Sequence, residues 1–294
     1  MKKILITGAT GNAGCSLIGF LCRLSIEYQV FAGVRDIGRA KKIFAKYQDL
    51  QFRNFDFENR ETFEEVFVNV DTVFLLRPPH ISDTETYFRP LLTTMRAQGV
   101  KEVLFLSVQG AEKSKIIPHN KIEKLILDFG FKYIFLRPSY FMQNLTTTLL
   151  ADIQKYRKII LPAGKAKFNW VDVENIGESA AYLLANFKEC SNKSIELTGN
   201  ENLNFYEVVD QLNQYTDNKI DYVSPNIISF YRLKRKQGMR KGMIMVMIML
   251  HFLPRFQNEP KISNFYEQIF GKEPTRLWQF IEREKAIFEK PKED

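Results

Sequence analysis

Lys2-Lys3-Ile4-Leu5-Ile6-Thr7-Gly8-Ala9-Thr10-Gly11-Asn12-Ala13-Gly14 opens the chain with a short apolar strand that runs into a glycine-punctuated turn. Gly8, Gly11 and Gly14 fall at G-x-x-G-x-x-G spacing, which lets the backbone turn sharply, approach a pyrophosphate and bring the next helix against the strand. That helix begins near Asn12 and carries Leu17, Ile18, Leu21 and Leu24 at helical spacing, so its free N–H groups aim at the phosphates. A plain strand-to-helix turn without a ligand is the competing reading. The turn's place between an apolar strand and an amphipathic helix favours the nucleotide.

Working outward, Gln29–Val34 reads as a second buried strand that ends at Arg35-Asp36. In a dinucleotide fold this position faces the adenosine ribose, where an acid favours a free 2′-hydroxyl and an arginine accommodates a 2′-phosphate. Arg35 comes first, and Arg39, Lys41 and Lys42 add charge nearby, so NADP(H) is favoured while NAD(H) stays open. Further strands are expected at Leu50–Phe55, Thr72–Leu76, Glu102–Ser107 and Lys132–Leu136, with helical spacing between them. Their nearly continuous apolar runs suit a parallel sheet covered on both faces. The fold class is therefore α/β, a Rossmann-type doubly wound parallel sheet.

Beyond Asn144 the alternation weakens, which predicts a smaller, discontinuous C-terminal cap. The expected division is a nucleotide-binding domain over 1–145 with a return segment at 168–200, and a cap over 146–167 and 201–294. Within the return segment, Phe168–Val173 and Ser194–Leu197 read as strands and Glu174–Phe187 as a helix, while Phe205–Tyr215 reads as a helix of the cap.

The chain has 294 residues and 45% hydrophobic content, enough for a sizeable core. Lys and Arg number 42 against 34 acids, and six of the cations (Arg232, Lys234, Arg235, Lys236, Arg240, Lys241) crowd into one acid-free run. The basic excess is mostly local, so no nucleic-acid face is indicated, and a solvated helix face is the expectation for the run. Met243–Leu250 is apolar but far shorter than the ~20 residues that span a bilayer. It reads as a buried cap helix, with a pocket lid as the alternative. Cys15, Cys22 and Cys190 have no metal-ligand spacing, and nothing resembling a secretory signal precedes the first strand, so a cytoplasmic protein is expected.

Gly8–Gly14, Val34-Arg35-Asp36, Leu75–Pro79, Leu106–Ala111, Leu136-Arg137-Pro138 with Phe141–Asn144, Val171–Gly177 and Leu197-Thr198-Gly199 together resemble the NmrA-like atypical short-chain dehydrogenases/reductases. The resemblance covers about the first 200 residues. It implies NAD(P) binding, with contacts from Gly8, Thr10, Gly11, Asn12, Ala13 and Gly14 in the turn, and from Arg35 at the ribose. Asp56, Phe57, Leu76, Arg77, Ser107, Tyr140 and Phe141 are the remaining cofactor candidates. Members of this family include type-2 quinone oxidoreductases, triphenylmethane-dye reductases and redox-sensing regulators that bind the nucleotide without turnover.

Ordinary short-chain dehydrogenases use Tyr-x-x-x-Lys, whose tyrosine transfers the proton. Here that spacing occurs only at Tyr215/Lys219, deep in the expected cap. His119-Asn120-Lys121-Ile122-Glu123 stands in its place, with His119 at the tyrosine-like position and Glu123 one turn later, a pattern similar to the NmrA-like quinone reductases. Two functions follow. In the first, NADPH delivers hydride to a small apolar or conjugated acceptor such as a quinone, with His119, Lys121 and Ser107 as catalytic candidates and Gln109 as an orienting one. A helix-start role for His119 is an equal alternative. In the second, the same pocket serves a redox sensor read by a protein partner. A homodimer stays open.

Overall fold

Apolar runs such as Val103–Leu106, buried on both sides, require helices on both faces of their sheet, and that is how the first part of the chain is built. The computed structural model describes residues 1–24, 28–115, 117–217 and 219–289. The chain divides into two compact units, Met1–Pro138 with Val173–Leu197, and Ser139–Asp172 with Thr198–Asp294.

In the first unit the elements run β1 (Lys2–Ile6), α1 (Asn12–Leu21), β2 (Tyr28–Val34), α2 (Ile37–Ile43), β3 (Gln51–Asn54), α3 (Phe63–Val66), β4 (Thr72–Leu76), α4 (Thr84–Ala97), β5 (Glu102–Leu106), α5 (Pro118–Asp128) and β6 (Lys132–Pro138). The second unit begins with β7 (Tyr140–Phe141), α6 (Leu150–Tyr156), β8 (Lys158–Ile160) and β9 (Phe168–Val171). The chain then returns to the first unit for α7 (Val173–Ala185), α8 (Phe187–Cys190) and β10 (Lys193–Leu197). It completes the second with β11 (Asn202–Leu203), α9 (Phe205–Tyr215), β12 (Asp221–Val223), α10 (Ile227–Lys236), α11 (Lys241–Phe252), α12 (Phe265–Phe270), α13 (Leu277–Arg283) and α14 (Lys285–Glu289).

Seven parallel strands in the order β10-β6-β5-β4-β1-β2-β3 make the main sheet. The order reverses between β1 and β4, and in open α/β sheets a ligand crevice lies beyond the strand ends at such a reversal. On one face Leu5, Phe31, Val73, Leu75, Val103 and Phe105 form a core with Phe88, Leu91 and Met95 of α4 and Ile122 and Ile126 of α5. The alternate residues Ile4, Ile6, Phe74, Leu104 and Ile134 are equally buried. Helices α1 and α7 pack together so closely that a Cβ on Gly177 would stand 2.1 Å from Ser16 Oγ.

The second unit has its own core, centred on Trp170, Phe168, Phe205, Leu161 and Ile153. Strand β9 pairs in parallel with β7 and antiparallel with β11, and β12 pairs with β8. The sequence reading carries Phe168–Val173 back towards the main sheet, whereas β9 lies in this small sheet. The reason is local: the Asn169 amide behaves as a strand edge, accepting from Gly199 N at 2.8 Å and donating to Gly199 O at 3.1 Å.

Two expectations for the cap are corrected. Helix α11 is buried only along Ile244, Met247, Ile248 and His251, while Met243, Met245, Met249 and Leu250 are exposed. Within the basic run, Arg232, Arg235, Lys236, Arg240 and Lys241 are exposed as a solvated face requires, but Lys234 is buried against Asp152.

Candidate nucleotide-binding site

Strand β1 is followed at once by Thr7, which is fully buried and ties the strand end to its neighbour. Its hydroxyl donates to Phe74 O at 3.0 Å and accepts from Leu76 N at 2.9 Å. The chain then turns at Gly8, whose φ of +61° belongs to the left-handed region and whose missing Cβ leaves room for Leu76. Gly11 N donates back to Gly8 O at 3.0 Å, closing the turn. A Cβ on Gly14 would stand 2.4 Å from Gly8 O, so only glycine lets α1 begin this close to the turn.

Thr10, Gly11 and Asn12 at the head of α1 are exposed, and the helix has neither a side-chain cap nor an acid in its first turn. Its first amides therefore face outward beside a positive helix end, the arrangement that receives a diphosphate. Ala13 is buried beneath them. The residues present fit a dinucleotide: the backbone forms a cradle that side chains would fill, and no carboxylate of the first turn repels an anion.

At the end of β2 the ambiguity between Arg35 and Asp36 has a structural answer. Asp36 caps α2, its carboxylate accepting from Arg39 N at 2.9 Å. Arg35 is exposed and has no side-chain partner among the described residues. At the end of β3, the Asp56 carboxylate accepts from Glu58 N in a local turn, and the Phe57 ring is buried edge-on to Phe55 at 4.7 Å. Phe57 can thus offer a ligand its backbone rather than its ring.

Arg77, just past β4, donates through Nη1 to the carbonyls of Pro78, Pro79 and Ile81, at 3.0, 3.1 and 2.7 Å. Its Nε–H points at His119 Nε2, 3.4 Å away. Burial lowers the Arg77 pKa to about 10, so the guanidinium stays charged at neutral pH. Burial, and then this neighbouring charge, push His119 down to about 3. The imidazole at the head of α5 is therefore neutral, with Nε2 accepting and its proton on Nδ1. Arg77 thus organises its own loop and fixes the state of His119.

Ser107, at the end of β5, is buried and donates through Oγ to Glu123 Oε1 at 2.6 Å. Glu123 also takes a two-pronged pair from Arg137, Nε to Oε1 at 3.0 Å and Nη2 to Oε2 at 2.7 Å. The remaining Arg137 nitrogen, Nη1, meets Glu112 at 2.8 Å. Burial opposes the Arg137 charge, but the hydrogen bonds and charge of Glu123, helped by Glu112 and Glu196, outweigh it and raise its pKa. Gln109 donates to Glu196 at 3.1 Å. Asn120 donates to Ala111 O at 3.1 Å, and its buried Oδ1 has no hydrogen-bond partner among the described residues.

The structure thus brings Gly8–Gly14, Arg35, Asp56, Leu76, Arg77, Ser107 and His119 to the carboxyl ends of the strands of one sheet or to the segments that leave them. Lys121 also lies on α5 but is exposed, without an ion pair among the described residues. Tyr140 and Phe141 belong to the second unit. There the Tyr140 hydroxyl donates to His251 Nε2 at 2.9 Å, His251 Nδ1 donates to Met247 O at 2.7 Å, and the Tyr140 ring meets Trp170 edge-on. Burial raises the Tyr140 pKa and lowers that of His251 to about 4. Arg137 and Glu112 escaped the sequence reading. The signal for Arg137 was present, since a lone cation inside the apolar run Ile134–Leu136 before Pro138 must be paired if buried.

The NmrA-like family model matches residues 1–286. The chain belongs to the NmrA-like family. Among individual relatives, Prestalk A differentiation protein A of Dictyostelium discoideum is 25% identical over 279 residues, covering 95% of this chain and 91% of that protein. The triphenylmethane reductase of a Citrobacter species, solved with NADP(H), superposes with a TM-score of 0.80 at 22% identity, over 96% of this chain and 99% of that one. The NADPH complex of an Escherichia coli quinone oxidoreductase gives 0.81 at 20% identity, over 95% and 99%. The negative transcriptional regulator NmrA, solved with NAD, shares the fold more distantly, at 0.73 and 12% identity over 97% and 96%.

Proposed function

We propose that this NmrA-like chain is an NAD(P)H-dependent oxidoreductase, with NADPH preferred, that reduces a quinone-like or otherwise conjugated small molecule. NADPH, when bound, supplies a hydride from its nicotinamide. The chain's own part is to hold the diphosphate on the amides of Asn12 and Ala13, with Gly11 N kept in the turn by Gly8 O, and to meet a 2′-phosphate with Arg35. Similarity to reductases solved with NADP(H) and NADPH supports the cofactor assignment.

The observation that carries the acceptor class is the state of His119. Reduction of an isolated carbonyl calls for a general acid at the tyrosine-like position, and here that position holds a neutral imidazole whose Nε2 already accepts from Arg77. The nearby hydroxyl, that of Ser107, already donates to Glu123. An acceptor that spreads the arriving negative charge over a conjugated system needs no such acid and can take its protons from water. In this reading His119 and Ser107 shape the site, and Lys121 remains at the surface.

Steady-state oxidation of NADPH and NADH with a panel of benzoquinones, naphthoquinones and triphenylmethane dyes tests the proposal. Turnover with NADPH exceeding that with NADH is expected. Tight NADPH binding without turnover on any acceptor would overturn the enzyme reading in favour of a redox sensor. That sensor would require NADP⁺ and NADPH to bind with different affinity when a partner protein is present.

A further inference from the structure

Helices α10 and α11 pack against each other within the second unit, and their outer faces differ in kind. On α10 the buried residues are Phe230 and Lys234, and the opposite side carries Arg232, Arg235 and Lys236. Arg240 and Lys241 follow at the start of α11. Helix α11 is apolar all the way round, although only one side is covered. Its inner side, Ile244, Met247, Ile248 and His251, belongs to the core, while Met245 is 56% exposed and Leu250 49%. The turn that follows adds Leu253 at 47% and Phe256 at 75%. A helix apolar on all sides is ordinarily enclosed, so this one has a face that water covers at a cost.

We propose that this face docks on an anionic lipid bilayer, lying in the interface rather than crossing it. Charge decides the occupant. No acid occurs between Asp221 and Glu259, and none of Arg232, Arg235, Lys236, Arg240, Lys241 or Arg255 forms an ion pair among the described residues. An isologous second copy would set these cations against their own images. An anionic headgroup layer meets them, and the exposed methionine, leucine and phenylalanine chains of α11 and the turn after it enter the acyl boundary. Gly242, Met243, Met245, Val246, Met249, Leu250 and Leu253 have no side-chain group for a directional hydrogen bond, which suits lipid better than a patterned protein surface. Among the described residues no helix is long and apolar enough to cross a membrane.

The inference stands apart from the reductase reading, because partition is measured without turnover. Purified full-length protein is floated with vesicles of phosphatidylcholine alone or mixed with phosphatidylglycerol. Flotation with the mixed vesicles, and much less with the neutral ones, is expected. Raising salt from about 0.1 M to about 1 M should weaken it as screening contracts to about 3 Å. Replacing Arg232, Lys236 and Lys241 by Gln should reduce partition about 100-fold, at about fivefold for each cation. Met245→Glu with Leu250→Glu should abolish it while leaving the urea midpoint and NADPH binding unchanged. Should that pair disturb folding, the three glutamine replacements at exposed cations still decide the matter. Equal partition to both vesicle types, or none, overturns the proposal. So does a concentration-dependent dimer in sedimentation velocity that Met245→Glu with Leu250→Glu dissolves without any vesicle binding.

Discussion

Among the described residues, Arg137 in the first unit and Lys234 in the second are the buried cations, and the two are kept in different company. In the first, Arg137 spreads its planar fork over Glu123 and Glu112, and Glu123 is steadied further by the Ser107 hydroxyl. In the second, Lys234 on α10 meets a single carboxylate, Asp152, which also takes Gln237 at 3.0 Å. A guanidinium can divide its charge among partners in fixed directions, whereas an ammonium is a compact point charge. The arginine therefore keeps a partner when one is removed, and the lysine does not.

The sharpest way to break this comparison is to remove the two carboxylates in turn. Asp152→Ala should cost about 3–5 kcal/mol, the usual penalty for an orphaned buried charge. Glu123→Ala should cost less, about 2 kcal/mol, because Glu112 still holds Arg137. Urea midpoints at neutral pH measure both, and equal losses would mean that the arginine network shares nothing.

The histidines extend the contrast. His251 is held near a pKa of about 4 in the folded chain, below its ordinary 6.5. Above pH 6.5 neither the folded nor the unfolded state binds a proton there. As pH falls below that, only the unfolded state binds one, so stability should drop by about 1.4 kcal/mol per pH unit until pH 4. His251→Gln should flatten this slope in unfolding curves between pH 7 and pH 5. His119, depressed further to about 3, should add a comparable slope that continues to about pH 3.

Two glycines sharpen the comparison at the level of packing. Gly177→Ala in α7 drives a methyl into Ser16 and should destabilise by about 1–3 kcal/mol. Gly242→Ala in α11 meets nothing within 4 Å and should stabilise by up to about 1 kcal/mol through helix propensity alone. Thermal melts would register the opposite signs. At the surface the effect falls on binding and not on stability: Arg35→Asp should weaken NADPH binding about threefold to fivefold, the loss of one exposed charge-assisted contact, and leave NADH binding nearly unchanged. Fluorescence titration with the two nucleotides would check it, and an unaltered preference would remove Arg35 from the ribose.

The main sheet was legible because its central strands β1, β2, β4, β5 and β6 each hold a short apolar run closed by a polar or glycine-rich end. Thr72–Leu76 was read with its observed limits, and β5 to within one residue. The helix between β2 and β3 was expected from the alternation alone, without residues of its own, because α2 buries only Ala40 and leaves almost no periodic trace. Strand β9 was read as a strand but assigned to the wrong sheet, since its pairing depends on Asn169 reaching Gly199, 30 positions away. The glycine turn could be read because the need for missing side chains is written into the residue type itself. The charged cluster could not be, because Ser107, Glu112, Glu123 and Arg137 come from separate elements and only the folded sheet brings them together. Lys234 was hidden for the opposite reason. Five exposed cations around it made it look like one more of them.

Thr7 closes β1 in an unusual way. Its amide makes the last main-chain bond, to Phe74 O, and its hydroxyl shares that carbonyl and accepts from Leu76 N, so a side chain supplies the final acceptor of the ladder on β4. The bend at Gly8 therefore starts from a fixed height above a closed edge. A guest arriving there meets a rim already rigid, and little freedom is left to be lost on its arrival.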